Sequence, residues 1–133
     1  AGRYTLLEQG PLETFFPLCA ERGIGIVVGG PYNSGILATG SIPGAYYNYL
    51  PATEEVKDRV RVIEKVCAEF KVPLAAAALQ FPLAHPIVAS VIPGSRTPTE
   101  LTTNLAAFRQ DIPPEFWVKL RDKELIDQRS PLP

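Results

Sequence analysis

The order of apolar runs and helix-period segments predicts an α/β protein with parallel strands. Three observations carry this. Apolar runs at 24–30 ("IGIVVGG") and 86–92 ("PIVASVI") have the make-up of strands buried on both faces of a parallel sheet. Segments with helical period and helix punctuation lie between and after them. Each run ends in Gly-Gly or Pro-Gly before the next segment opens. That alternation is what parallel strands joined by right-handed crossovers require.

Taken in order, "RYTLLEQG" at 3–10 reads as a first short strand ended by Gly10. Pro11 opens and Gly23 closes a helical segment with Leu12, Phe15, Phe16 and Cys19 on one face, and Pro17 predicts a kink in it. After the run at 24–30, residues 31–53 show no period and are rich in Gly, Pro, Asn and Tyr, which predicts a long loop. Thr53 is an N-cap, with Glu54 and Glu55 at the positive end of the helix dipole. That helix runs to about Phe70 on an apolar stripe of Val56, Val60, Ile63, Cys67 and Phe70. An alanine-rich helix starts at Pro73 and is bent before Pro82. After the run at 86–92, Thr97, Pro98 and Glu100 fit a capping box that opens a helix facing Leu101, Leu105 and Phe108 inward. A last helix spans roughly Pro113 to Ile126, with Phe116, Leu120 and Trp117 as its core face.

Composition narrows the function. The 133 residues suit one small domain, and nearly half are apolar. The formal net charge is −1, and basic residues stand beside acids, as in "EEVKDRVRVIEK", so the chain is not read as a nucleic-acid binder. No apolar run approaches a membrane span. Cys19 and Cys67 belong to no metal or redox spacing and read as small buried residues in a reducing cytoplasm. The lone His85 sits at the N-terminal end of a strand, flanked by Ala84 and Pro86, and reads as structural. With no second histidine and no ligand cluster, neither a Ser/His/Asp set nor a metal site can be assembled. Glu54, Glu55, Glu64 and Glu69 read as a solvated helix face.

Two stretches offer ligand chemistry. In "VIPGSRTPTELTTN" (91–104), Gly94 lets backbone approach a ligand, Ser95 adds a hydroxyl, and Arg96 a fork of donors matched to phosphate. All three precede a helix whose first amides lack partners. A tight strand–helix turn with a solvated arginine explains these residues equally well. "VVGGPYNSGIL" (27–37) makes the same offer with Gly29, Gly30, Ser34 and Gly35, against the alternative of a glycine-rich surface loop. Two such loops at neighbouring strand ends strengthen each other, because parallel α/β proteins bind ligands there. Tyr46, Tyr47 and Tyr49 either line a pocket or anchor the long loop.

The motifs "AGRYTLLEQ", "GGPYNSGILATG", "YNYLP", "AAALQFPLAHP" and "VASVIPGSRTPTELTTN" together make the whole chain resemble the C-terminal half of an aldo-keto reductase, in the branch of bacterial sugar and pyridoxal dehydrogenases. The resemblance implies strands six to eight of a TIM (β/α)8 barrel, and residues 1–133 as a single partial domain. It implies a protein that moves a hydride between NAD or NADP and an aldose or pyridoxal-like small molecule. It places Gly30, Pro31, Asn33, Ser34, Gly35 and Leu37 along the cofactor pyrophosphate. It places Gly94, Ser95 and Arg96 at the adenosine ribose and its phosphate, and Thr103 and Asn104 at the adenine. Gly29 stands where many members stack an aromatic residue on the nicotinamide. Glu100 stands where NADP-preferring members often carry arginine. A carboxylate there favours a ribose hydroxyl over a 2′-phosphate, which leans the expectation to NAD. Alternatively Glu100 only closes its capping box, and Arg96 meets a 2′-phosphate.

The family's catalytic Asp, Tyr, Lys and His come from the first four strands, so no catalytic residue is assigned, and Tyr4 and Lys71 do not match in context. A barrel of this kind needs about 250 residues. The absence of Met and a start at "AGRYTLLEQ" raise the expectation of a chain cut from a longer protein. Such a piece exposes sheet edges and apolar strand faces, and so associates with itself or with the missing half.

Overall fold

A computed structural model describes residues 3–133. Ala1 and Gly2, which precede the first expected strand, lie outside the described residues. The helices are α1 (Phe15–Glu21), α2 (Ile36–Thr39), α3 (Glu54–Phe70), α4 (Leu74–Gln80), α5 (Pro98–Phe108) and α6 (Pro114–Asp122). The strands are β1 (Ile26–Gly29), β2 (Tyr46–Tyr47), β3 (Leu50–Pro51) and β4 (Val88–Ile92).

β1 and β4 are hydrogen-bonded neighbours and run parallel, so their C-terminal ends lie on the same side. The register pairs Ile26 with Val88, then Val27 with Ser90, Val28 with Val91 and Gly29 with Ile92. The step from Val88 to Ser90 makes a local bulge at Ala89. Only one strand face is sealed. Ile26, Val28 and Val88 are buried, whereas Val27 and Ile92 are 44% and 62% exposed. The expectation of strands buried on both faces is therefore corrected: among the described residues nothing covers the second face of this two-stranded sheet.

The expected first strand is also absent. Residues 5–7 form a bend, closed by Thr5 N–H to Glu8 O at 2.8 Å and Glu8 N–H to Thr5 O at 3.2 Å. The Thr5 hydroxyl accepts from the amides of Leu7 and Glu8, both at 3.2 Å. Local bonding thus takes groups that a strand would offer to a neighbour. Its apolar character still counts, since Tyr4, Leu6 and Leu7 are core residues. An aromatic run ties the segment to the rest: Phe16 to Tyr4 at 4.8 Å, Tyr4 to Phe81 at 5.2 Å, Phe81 to Trp117 at 6.5 Å and Trp117 to Phe116 at 5.0 Å. Each fully buried side chain of this size contributes about 1.5–3 kcal/mol. The inward face of α6, with Phe116, Trp117 and Leu120, is as expected.

Pro17 causes no kink, because the α-helix begins only at Phe15 and Pro17 falls in its first turn. Gly10–Leu12 makes a separate 3₁₀ turn. Phe15 is exposed, unlike Leu12, Phe16 and Cys19. The long loop is more ordered than its composition suggested. It holds a 3₁₀ turn at Asn33–Gly35, then α2, then the antiparallel β2–β3 hairpin. The hairpin turns through Asn48 and Tyr49, both left-handed (φ 51° and 65°), as a two-residue turn of the right twist requires. α3 starts where Thr53 caps it, the hydroxyl accepting from Val56 N–H at 3.4 Å. Its stripe is largely buried, with Val66 added. Glu64 is not simply solvated. It accepts from the Ser41 hydroxyl at 2.6 Å and amide at 3.2 Å, fastening the middle of the long loop to α3. α4 ends at Gln80, before Pro82, and a 3₁₀ turn follows.

α5 departs most from its pattern. Leu101, Leu105 and Phe108 are all exposed, and no α5 residue is buried. Helical spacing shows which face is apolar, not whether anything covers it. The helix is held at its end by polar contacts instead: Gln80 Nε2 donates to the carbonyls of Ala107, Phe108 and Gln110 at 3.2, 3.2 and 2.7 Å. These include C-terminal carbonyls that a helix cannot satisfy itself. No single helix among the described residues is long and apolar enough to cross a membrane.

Candidate functional site

The parallel pairing brings the two glycine-bearing loops to one end of the sheet. Gly30 N–H donates to Ile92 O at 3.4 Å, so the loops begin side by side. One side-chain chain then ties them: the Tyr32 hydroxyl donates to Asn104 Oδ1 at 2.7 Å, and Asn104 Nδ2 donates to Ser95 Oγ at 3.0 Å and Gly94 O at 3.4 Å. Burial pushes the Tyr32 phenol up to about 12, so it stays a protonated donor. Tyr32 is not among the tyrosines the sequence points to, because its partner Asn104 lies 72 residues away in the chain.

The first loop is wound through left-handed backbone. Gly30, Asn33, Ser34 and Gly35 have φ of 67°, 48°, 62° and 109°. For Asn33 and Ser34 this costs roughly 1–2 kcal/mol each. Other segments hold both residues in place. Asn33 Nδ2 donates to Glu8 Oε2 at 2.6 Å, and Ser34 Oγ accepts from Tyr49 N–H at 3.0 Å. Pro31 and Asn33 are buried, while Ser34 is exposed. Asn33 Oδ1 is buried without a donor among the described residues. Leu37 lies wholly in the core, and its N–H goes to Tyr32 O at 3.1 Å, so it supports the loop from behind.

The second loop is open. Gly94, Ser95 and Arg96 are exposed. No acceptor is found among the described residues for the Gly94 and Ser95 N–H groups. A Cβ at Gly94 would meet nothing within 4 Å, and its φ is not left-handed. The fold itself therefore does not demand glycine there, while close approach by a ligand would. Thr97 Oγ1 accepts from Glu100 N–H at 3.1 Å, which is half of the expected capping box. The other half is displaced by one residue: Glu100 Oε2 accepts from Arg96 N–H at 2.6 Å, not from Thr97. Glu100 Oε1 also accepts from Arg96 Nε and Nη2 at 3.2 and 2.8 Å. Hydrogen bonds from the Arg96 side chain, then its amide, hold the Glu100 carboxyl below its usual range. Thr103 is exposed and its hydroxyl bonds back to Thr99 O at 2.9 Å, so it is spent on its own helix.

Of the loop tyrosines, Tyr47 is half-buried, and its phenol is pushed up by burial and then by Glu8. Tyr46 and Tyr49 are exposed. His85 lies away from this end, edge-on to Phe16 at 4.7 Å and Tyr4 at 5.7 Å, and burial lowers its pKa. Cys19 and Cys67 are buried free thiols, and burial pushes Cys67 up to about 12. Among the described residues no group of three or more His, Cys, Asp or Glu could hold a metal. A cavity of about 300 Å³ lies at the opposite end of the sheet, lined by Ala20, Gly23, Ile24, Gly25, Pro86, Ile87 and Ala89, with no titratable group. A second cavity of about 370 Å³, by α3 and α6, is lined by Phe70, Pro114, Glu115, Val118, Lys119 and Asp122, away from the two glycine-bearing loops, which share an open surface at the strand C-terminal ends. That surface offers unpaired amides, a hydroxyl and one arginine, which suit a ligand bearing phosphate and ribose.

Comparison with known proteins matches residues 1–124 to the aldo/keto reductase family. The chain is 44% identical over 126 residues to a pyridoxal 4-dehydrogenase of Microbacterium luteolum, covering 95% of this chain and 37% of that protein. It is 41% identical over 127 residues to a D-threo-aldose 1-dehydrogenase of a Pseudomonas species, covering 95% of this chain and 39% of that one. Among solved structures, the holo form of an aldo-keto reductase from Bacillus halodurans superposes with a TM-score of 0.69 at 28% identity, over 94% of this chain and 41% of that one. The chain therefore spans about two fifths of the length of these relatives.

Proposed function

The chain belongs to the aldo-keto reductase family, and from that premise we propose that the loops after β1 and β4 hold a nicotinamide dinucleotide for an oxidoreductase acting on an aldose or a pyridoxal-like compound. On this reading the chain is the C-terminal portion of the barrel. The observation that supports it most is the Tyr32–Asn104–Ser95 connection, which makes one surface of the two loops through a bond between residues 72 apart in the chain. When bound, the cofactor supplies or accepts the hydride. The chain's own part is binding: residues 30–35 lie along the pyrophosphate, and Gly94, Ser95 and Arg96 receive the adenosine end. No catalytic residue is assigned, and these 133 residues by themselves turn over nothing. The two buried thiols fit a reducing cytoplasm.

The preference leans to NAD. Arg96 is occupied through its amide and guanidinium by Glu100, so a 2′-phosphate would have to displace a carboxylate already in place. Calorimetry of the natural protein with NAD and NADP tests this. Tighter binding of NAD is expected; tighter binding of NADP reverses the preference, and binding of neither overturns the cofactor reading.

A second reading is favoured by the exposed Val27, Ile92, Leu101, Leu105 and Phe108. In it the chain is a half-barrel that binds phosphate groups without catalysis, or only associates with itself or a complementary half. Calorimetry of the 133-residue chain with AMP and with inorganic phosphate separates the two: AMP held more tightly than phosphate fits the first, and phosphate alone or neither ligand fits the second.

A further inference from the structure

Glu8 belongs to no ligand-binding stretch, yet it holds the first loop in shape. Resting on the cofactor reading above, we propose that Glu8 is a positioning residue, which sets the diphosphate-binding loop by fixing Asn33. Its Oε2 accepts from Asn33 Nδ2 at 2.6 Å, the single side-chain bond that Asn33 makes among the described residues. Asn33 is buried and left-handed, so its backbone conformation and its anchored side chain are set together.

The brace is itself rigid. The Glu8 amide donates to both Thr5 O and Thr5 Oγ1 at 3.2 Å, and its carbonyl accepts from Thr5 N–H at 2.8 Å. The neighbouring Leu7 carbonyl accepts from an Arg59 guanidinium nitrogen at 3.0 Å, which pins the bend to α3. The Glu8 side chain is 15% exposed, and Arg3 Nη1 stands 3.0 Å from Oε1. A carboxylate behind a diphosphate loop would repel the ligand if its charge were unopposed. Arg3 opposes it, and the remaining oxygen is turned to Asn33. A carboxylate serves both partners at once and makes the stronger bond, which an amide at this position would make with one oxygen only.

Two nucleotides, with and without a diphosphate, test this in the natural protein. Calorimetry of Glu8→Met should weaken ADP about 10-fold and leave AMP within about twofold, because AMP needs only the second loop. In an Asn33→Ala background, Glu8→Met should cost ADP nothing further, since Glu8 acts through that side chain. Glu8→Gln should keep ADP within about threefold of wild type. Equal losses for ADP and AMP, or losses that add in the Asn33→Ala background, mean that Glu8 merely knits the fold and overturn the assignment. So does ADP binding unmoved by Glu8→Met. Should the Met variant fail to fold, the same cycle with Glu8→Gln applies: its smaller loss must vanish in the Asn33→Ala background, and persistence overturns the assignment. Wild-type protein that binds neither nucleotide defeats the cofactor reading, and the assignment with it.

Discussion

The two loops at the sheet's C-terminal end are built in opposite ways. The first is wound through four left-handed residues, two of them not glycine, and is clamped by Glu8 and Tyr49 from outside. The second is exposed, unstrained at Gly94, and held by one exposed ion pair, one helix cap and the Asn104 amide on Ser95 and Gly94. Strain that persists must be over-determined by surrounding contacts, so the first loop comes pre-shaped before any ligand arrives. The second can adapt. A ligand with a rigidly placed diphosphate and a variable nucleoside end would use such a pair, one loop fixing position and the other adjusting to the ribose.

Substitutions separate the loops by their effect on stability, read by denaturant unfolding of the natural protein. The largest loss is expected for Asn33→Val, about 3 kcal/mol, because a β-branched residue is forced left-handed and the bond to a charged partner is lost. Gly35→Ala follows at about 2 kcal/mol, since φ of 109° suits no side chain although a Cβ there has open space. In the second loop Thr97→Ala should cost about 1 kcal/mol, the value of an N-cap. Gly94→Ala should stay within about 0.5 kcal/mol of wild type while weakening nucleotide binding. Equal stability losses for Gly35→Ala and Gly94→Ala would erase the contrast between a shaped loop and an adaptable one.

The same contrast explains what the sequence disclosed. Local signals were legible: the caps at Thr53 and Thr97 and the core face of α6 follow from nearest-neighbour chemistry and period, and the parallel pair β1–β4 from the alternation of strand and helix segments. So were the glycine positions of both loops. What stayed hidden depends on partners distant in the chain. Asn33 shows its use only beside Glu8, 25 residues earlier, and Tyr32 only beside Asn104, 72 residues later. The bend at residues 5–7 was hidden for another reason. Tyr4, Leu6 and Leu7 are as apolar as a strand, but Thr5 bonds its own neighbours. Leu101, Leu105 and Phe108 carry the apolar period of a packed helix without a cover in the described residues, so pattern alone overstated their burial.

The smallest expected effect probes the second loop without disturbing the fold. The Glu100 carboxyl is held below 4.5 in the folded chain, first by the Arg96 side chain. Its folded value is depressed, so whatever the pair contributes is complete above the unfolded value and is lost as pH falls through the folded one. Arg96 is mostly solvated, so the melting temperature should not register this loss. NMR of the Glu100 carboxyl should register it: Arg96→Ala moves its midpoint up toward 4.5 with unfolding unchanged. Nucleotide then sharpens the comparison. A ligand that recruits Arg96 must take it from Glu100 and raise the same midpoint. Saturation with NADP should do so through its 2′-phosphate, whereas NAD should leave the pair and its midpoint in place. A midpoint that NAD also shifts would mean that the second loop gives up its one ion pair to any nucleotide, and that Glu100 does not discriminate between them.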